Sequence, residues 1–151
     1  MSWTRRQGQL LVDQLNETCK EHAPFKYYVG FRYAEPLTEK TLDQIYQDGI
    51  RRLVVFSQYP QYSCSTTGSS INRMAEYYLK QANRQQGVKF SFIDRWSTNE
   101  GLVQAFADRI QNELNEFAPE ERNEVVLLFS AHSLPLSVSF FLDFLFQKPQ
   151  V

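Results

Sequence analysis

The apolar positions along the chain change period repeatedly, and each change predicts an element. Over residues 7–20, Leu10, Leu11 and Leu15 recur at helical spacing and predict a helix. Residues 25–33 are rich in aromatics and valine and predict a strand. Thr38 is the expected cap of a helix that runs to about Asp48, and Gly49 ends it. Residues 52–56 predict a short buried strand, and 58–68 a polar, aromatic-rich loop. A helix over 69–82 and a strand over 88–93 follow. Thr98 is the expected cap of a longer helix, in which Leu102, Phe106, Ile110, Leu114 and Phe117 share one face. Val125, Val126, Leu127, Leu128 and Phe129 form an apolar run that predicts the last strand. Helix and strand thus alternate four times, which predicts an α/β fold with a doubly wound parallel sheet.

In such a sheet, ligand-binding side chains gather beyond the carboxyl ends of the strands. The last predicted strand runs into Ser130, Ala131, His132 and Ser133, and Pro135 stops it because proline cannot donate to a ladder. His132 is one of only two histidines, so any imidazole chemistry at this edge falls to it. Arg32 and Tyr33 sit at the end of a second predicted strand, and Tyr59 and Trp96 follow two others. They are expected to meet His132 at one edge. From the residues alone, His132 is either a base, since imidazole titrates near about 6.5, or a hydrogen-bonded structural group. Trp96, after a strand end, reads as a large core residue. Arg32 either binds a ligand carboxylate or pairs with Glu35 or Glu39. Most hydroxyls among Ser63, Ser65, Thr66 and Thr67 serve to cap the following helix, and Gly68 supplies loop flexibility.

Composition narrows the class. The 151 residues are 42% hydrophobic, enough for one domain with its own core. The net charge is −1 with no basic stripe, which argues against nucleic acid as a partner. Cys19 and Cys64 are far apart and lack metal-type spacing, so no disulfide framework is indicated. The start is not an apolar signal peptide, and no stretch approaches the roughly 20 apolar residues of a membrane span. There is no internal repeat or low-complexity tract. The last thirteen residues, SFFLDFLFQKPQV, break the pattern and leave hardly any polar face. They are either foreign to the fold or a hydrophobic terminal helix packed on the sheet.

Four separated segments, in order, carry a more specific signal: KYYVGFRYAEPLTEKTL at 26–42, FSQYPQYSCSTTGSS at 56–70, IDRW at 93–96 and SAHSLP at 130–135. Together they resemble the ferrochelatase family, over about residues 3–138. The resemblance implies a chelatase-like fold. Residues 1–122 would be most of a first lobe lacking its first βα unit, 123–138 the start of a second lobe, and 139–151 a divergent tail. It implies insertion of ferrous iron into protoporphyrin IX to form protohaem, the last step of haem synthesis. His132 would be the base or a metal-handling ligand. Arg32, Tyr33, Tyr59 and Trp96 would line the porphyrin and metal pocket, with Arg32 meeting a propionate or the entering metal. Asn99 and Glu100 stand where several animal members carry histidines, which weakens any metal relay through that loop.

Cys64 matches a position that supplies one ligand of a [2Fe–2S] cluster in some members. The other three ligands have no counterpart here, so no cofactor is expected in this chain. The resemblance further implies the matrix side of the mitochondrial inner membrane, peripheral attachment and a homodimer. In the family the site lies between two lobes, and an acid from the second faces the histidine. The isolated chain is therefore expected to be inactive. The rival expectation is a non-catalytic isoform that binds porphyrin or a partner weakly.

Overall fold

The computed structural model describes residues 2–81 and 87–130. In chain order its regular elements are α1 (Ser2–Thr18), α2 (Thr38–Gln47), β1 (Arg52–Phe56), α3 (Ser69–Lys80), β2 (Lys89–Ile93) and α4 (Glu100–Asn115), with short helical turns between some of them.

The centre is a two-stranded parallel sheet. β1 and β2 pair from Arg52 opposite Lys89 to Phe56 opposite Ile93. Parallel neighbours need a crossover, and α3 lies within it. Leu42 and Ile45 of α2 meet Met74 and Tyr77 of α3 in the buried core. Leu53, Val55 and Phe90 of the sheet pack against that cluster from one side. The Tyr77 hydroxyl adds a polar clasp, donating to Asp43 of α2 at 2.5 Å. α2 ends on schedule. Gly49 takes φ +70°, a left-handed conformation that releases the chain toward β1 at no steric penalty.

Several expectations are corrected. The strand at 52–56 is not buried on both faces: Leu53 and Val55 turn inward, whereas Val54 is 60% exposed. Among the described residues the helices α2 and α3 cover one face of the sheet only. Residues 25–33 form no strand. Their one ladder contact is an isolated parallel bridge between Phe31 and Leu37. Their polar groups are satisfied by the helices instead. Asn16 of α1 accepts from the Phe25 N–H at 2.7 Å, Thr41 of α2 donates to the Val29 carbonyl at 2.8 Å, and Thr38 donates to the Phe31 carbonyl at 3.1 Å. That last bond employs the hydroxyl expected to cap α2, and Leu37 stands at the cap position without a side-chain bond. Residues 125–130 also form no strand, and Val126, Leu127, Leu128 and Phe129 are exposed, with no neighbouring edge to pair with among the described residues. Among the described residues the sheet therefore has two parallel strands where four were expected.

The two long outer helices also differ from expectation. α1 starts at Ser2, ahead of residue 7, and buries Val12 while Leu10 and Leu11 stay exposed. The face carrying Val12 is also the face carrying Asn16, whose bond to Phe25 fixes the helix rotation. α4 is capped by Asn99 and not by Thr98. The Asn99 carboxamide oxygen accepts from the N–H groups of Gly101 at 3.0 Å and Leu102 at 3.4 Å. Its predicted apolar face is only half covered: Leu102, Ile110 and Leu114 are half-buried, and Phe106 is 61% exposed. His132 and the terminal segment 139–151 lie outside the described residues.

Candidate active site at the carboxyl edge of the sheet

Because β1 and β2 run parallel, the chain leaves both strands on the same side, and the two loops meet there. Four contacts tie them together. The Ser57 N–H donates to the Ile93 carbonyl at 2.9 Å, and the Trp96 N–H donates to the Pro60 carbonyl at 2.8 Å. The Trp96 indole N–H donates to the Ser57 carbonyl at 2.9 Å. The Arg95 guanidinium lies over the Tyr62 ring, 5.0 Å from its centroid. Trp96 is half-buried and leans on Phe56, with centroids 5.5 Å apart and planes tilted by 44°. One side of the ring packs on the sheet, and its polar atom is fixed to the neighbouring loop. Tyr59 remains 52% exposed at the same edge.

The loop after β1 closes in a wide turn, Cys64–Gly68, that leads directly into α3. Ser63 caps this turn: its hydroxyl accepts from the Thr66 N–H at 3.2 Å, and its carbonyl accepts from the Gly68 N–H at 3.0 Å. Capping therefore does account for part of the hydroxyl cluster. Thr67 does something else. It is 1% exposed, and its hydroxyl meets that of Ser57 at 2.8 Å. Gly68 is not a flexible joint. It is buried in ordinary helical backbone, and a Cβ there would stand 2.9 Å from the Tyr62 hydroxyl oxygen. Burial pushes the Tyr62 phenol above its ordinary value, and the neighbouring Cys64 and Asp94 act in the same direction. Asp94 is held below the usual carboxylate value by the hydrogen bond from Arg95. Cys64 is an exposed free thiol, and Cys19 is free as well.

Arg32 reaches this edge from another direction. Its Nε donates to the hydroxyl of Ser69, the first residue of α3, at 3.3 Å. Its guanidinium also lies 4.8 Å from the centre of the Tyr33 ring, and Tyr33 is 80% exposed. The expected pairing of Arg32 with Glu35 is not made, since Glu35 pairs with Lys40 at 2.8 Å. Glu39 pairs with Arg73 and feels Arg32 only as a weaker, more distant charge. The structure thus brings Tyr59, Tyr62 and Trp96 to the carboxyl edge. It sets Arg32 and Tyr33 beside the start of α3, which follows the same loop. Cys64 sits on the turn between. His132 lies outside the described residues. Among the described residues no three His, Cys, Asp or Glu side chains converge on a metal position.

Sequence reasoning missed two residues of this edge, Ser57 and Arg95. Both are the kind of polar residue that follows a strand end, and that position was the available signal. Chemically, the edge offers stacking faces with polar tips in its tyrosines and tryptophan. It also offers a guanidinium able to take a carboxylate. Such a set suits a flat, partly anionic aromatic ligand.

Comparison with known proteins identifies the kin of this sequence. A family model described as Ferrochelatase matches residues 1–140. The protein named "Ferrochelatase, mitochondrial" from Bos taurus is 54% identical over 136 residues, which make up 90% of this chain and 32% of the relative. The protein of the same name from Homo sapiens shows the same identity and coverage. That from Schizosaccharomyces pombe is 42% identical over 137 residues, 91% of this chain and 32% of the relative. The chain spans about a third of the length of the curated relatives it matches.

Proposed function

Since the chain belongs to the ferrochelatase family, we propose that it serves the insertion of ferrous iron into protoporphyrin IX to form protohaem. The observation that carries this reading is the wall at the carboxyl edge, where loops from both strands hold Tyr59, Tyr62 and Trp96 together. A macrocycle stacks on such a wall through its apolar face. Arg32, beside the start of α3, is the residue for a propionate.

The reaction removes two pyrrole protons and tilts the pyrrole nitrogens toward the metal. A base that is half-charged near neutral pH suits the first task. His132 is assigned that role by its motif, either taking a pyrrole proton or handling the arriving iron. A [2Fe–2S] cluster takes four thiolates, and this sequence has two cysteines, so the residues present do not fit one. Iron enters as substrate. The relatives' names support a mitochondrial location for this chain. The matrix face of the inner membrane and a homodimer are the finer parts of the same proposal. No helix among the described residues is long and apolar enough to cross a membrane, and peripheral attachment agrees with that. The doubly wound sheet is likewise proposed. The exposed second face of β1 and the exposed apolar residues Val126 to Phe129 support it, as further strands or helices would cover them.

The test is a chimera in which this chain's family-matching segment replaces its counterpart in the Bos taurus relative. The chimera should insert ferrous iron. His132→Ala in it should abolish insertion and leave porphyrin binding, followed by fluorescence titration, largely intact, because binding comes from stacking and apolar burial. Near-normal insertion in the alanine variant removes His132 from the mechanism. A chimera that binds porphyrin without inserting iron favours the non-catalytic isoform. The isolated 151-residue chain should show no turnover, since the family resemblance places the acid that faces the histidine in a second lobe.

A further inference from the structure

Ser57 is the joint of the carboxyl edge. Its N–H reaches across to Ile93, its carbonyl holds the Trp96 indole, and its hydroxyl accepts from the Tyr59 N–H at 3.3 Å. Every one of these bonds depends on where the Ser57 backbone sits. The same hydroxyl meets Thr67 at 2.8 Å, and Thr67 is the one fully buried side chain among the larger residues described. A buried hydroxyl without a partner is costly, so this pair is held from the Thr67 end, within the turn that starts α3. We propose that Thr67 is a positioning residue: through Ser57 it sets the Trp96 ring and the start of the Tyr59 loop at the carboxyl edge. Its functional consequence rests on the reading of that edge as the porphyrin wall.

Thr67 carries a methyl and a hydroxyl, and two substitutions separate them. Thr67→Val keeps the shape and removes the hydroxyl. Thr67→Ser keeps the hydroxyl and opens a small void. The chain has two tryptophans, Trp3 and Trp96, and Trp3 is exposed on α1. In a Trp3→Phe background, Trp96 is the sole reporter of its own position. Thr67→Val should shift Trp96 emission to the red and raise its quenching by acrylamide, with far-UV circular dichroism unchanged. Thr67→Ser should behave as the parent. Parental emission in a folded Thr67→Val variant overturns the proposal, and so does a shift seen with serine but not with valine, which would make Thr67 a packing residue.

Ser57→Ala supplies the second arm and stands in if Thr67→Val does not fold. It should produce the same red shift, and the double variant should shift no further than either single one, because both remove one contact. Additive shifts count against the pair. None of these spectra needs porphyrin or iron, so failure of the family activity leaves them intact. In the chimera, Thr67→Val should raise the KM for porphyrin more than it lowers kcat. An unchanged KM together with shifted emission overturns the placing of Trp96 in the porphyrin wall, while the hold of Thr67 on Trp96 stands.

Discussion

Asp48 gathers three donors on one carboxylate, from Lys26, from the Tyr28 hydroxyl at 2.6 Å and from the Gln44 amide at 2.7 Å. Lys26 does most to lower its pKa, followed by Tyr28 and Gln44, and the value falls from 3.8 to about 2. A depressed folded-state value stabilises the fold above the ordinary value, and that stability disappears as pH falls through the depressed one. The advantage of the native chain over Asp48→Asn in urea denaturation should therefore be constant above about pH 5, fall to a small remainder near about pH 2 and be lost below it. An advantage that persists unchanged to pH 2 would mean that these bonds do not depend on the charge. Side chains this near to water are screened, so added salt should shrink the effect of the Lys26 pair.

At the scale of elements, the helices differ in what holds them. α2 and α3 are joined by Leu42, Ile45, Met74 and Tyr77. Leu42→Ala removes buried atoms from this cluster and should cost about 2–5 kcal/mol of global stability, read as a lower urea midpoint. α4 buries no side chain completely and leans on its cap. Asn99→Ala should cost about 0.5–2 kcal/mol, and the loss should appear as lower helicity and faster amide exchange in α4. A midpoint shift as large as that of Leu42→Ala would show that α4 unfolds with the core. The cap also marks how far an element is legible. Thr98 and Asn99 are both good capping residues, and only the backbone turn at Asn99 selects between them. By contrast, the strand read over 52–56 is β1 to the residue, because the continuous apolar run Leu53 to Phe56 is bounded by Gly49 on one side and the polar loop at 58–68 on the other.

The whole molecule, as described, has one small core beneath one face of a two-stranded sheet. Amide exchange should accordingly be slowest in β1, β2, α2 and α3 and faster in α1 and α4. Equal protection in α4 and β2 would contradict this ranking. Residues 25–33 and 125–130 show why two of the four predicted strands did not appear. Both have strand-like composition, yet a strand exists only beside a partner, and one of these segments is bonded to helices while the other stays exposed.

The order of local periods, the stop at Gly49 and four ordered motifs were legible in the chain alone, and they were enough for the element types of α2, β1, α3 and β2 and for the family. Each depends on neighbours a few residues apart, and local sequence carries that information directly. Which face of α1 is buried, which hydroxyl meets Thr67, and which carbonyl holds Trp96 were decided only by tertiary structure. The Trp96–Ser57 bond joins residues 39 apart. Such a pairing depends on two strands lying parallel and in register, which no local period encodes.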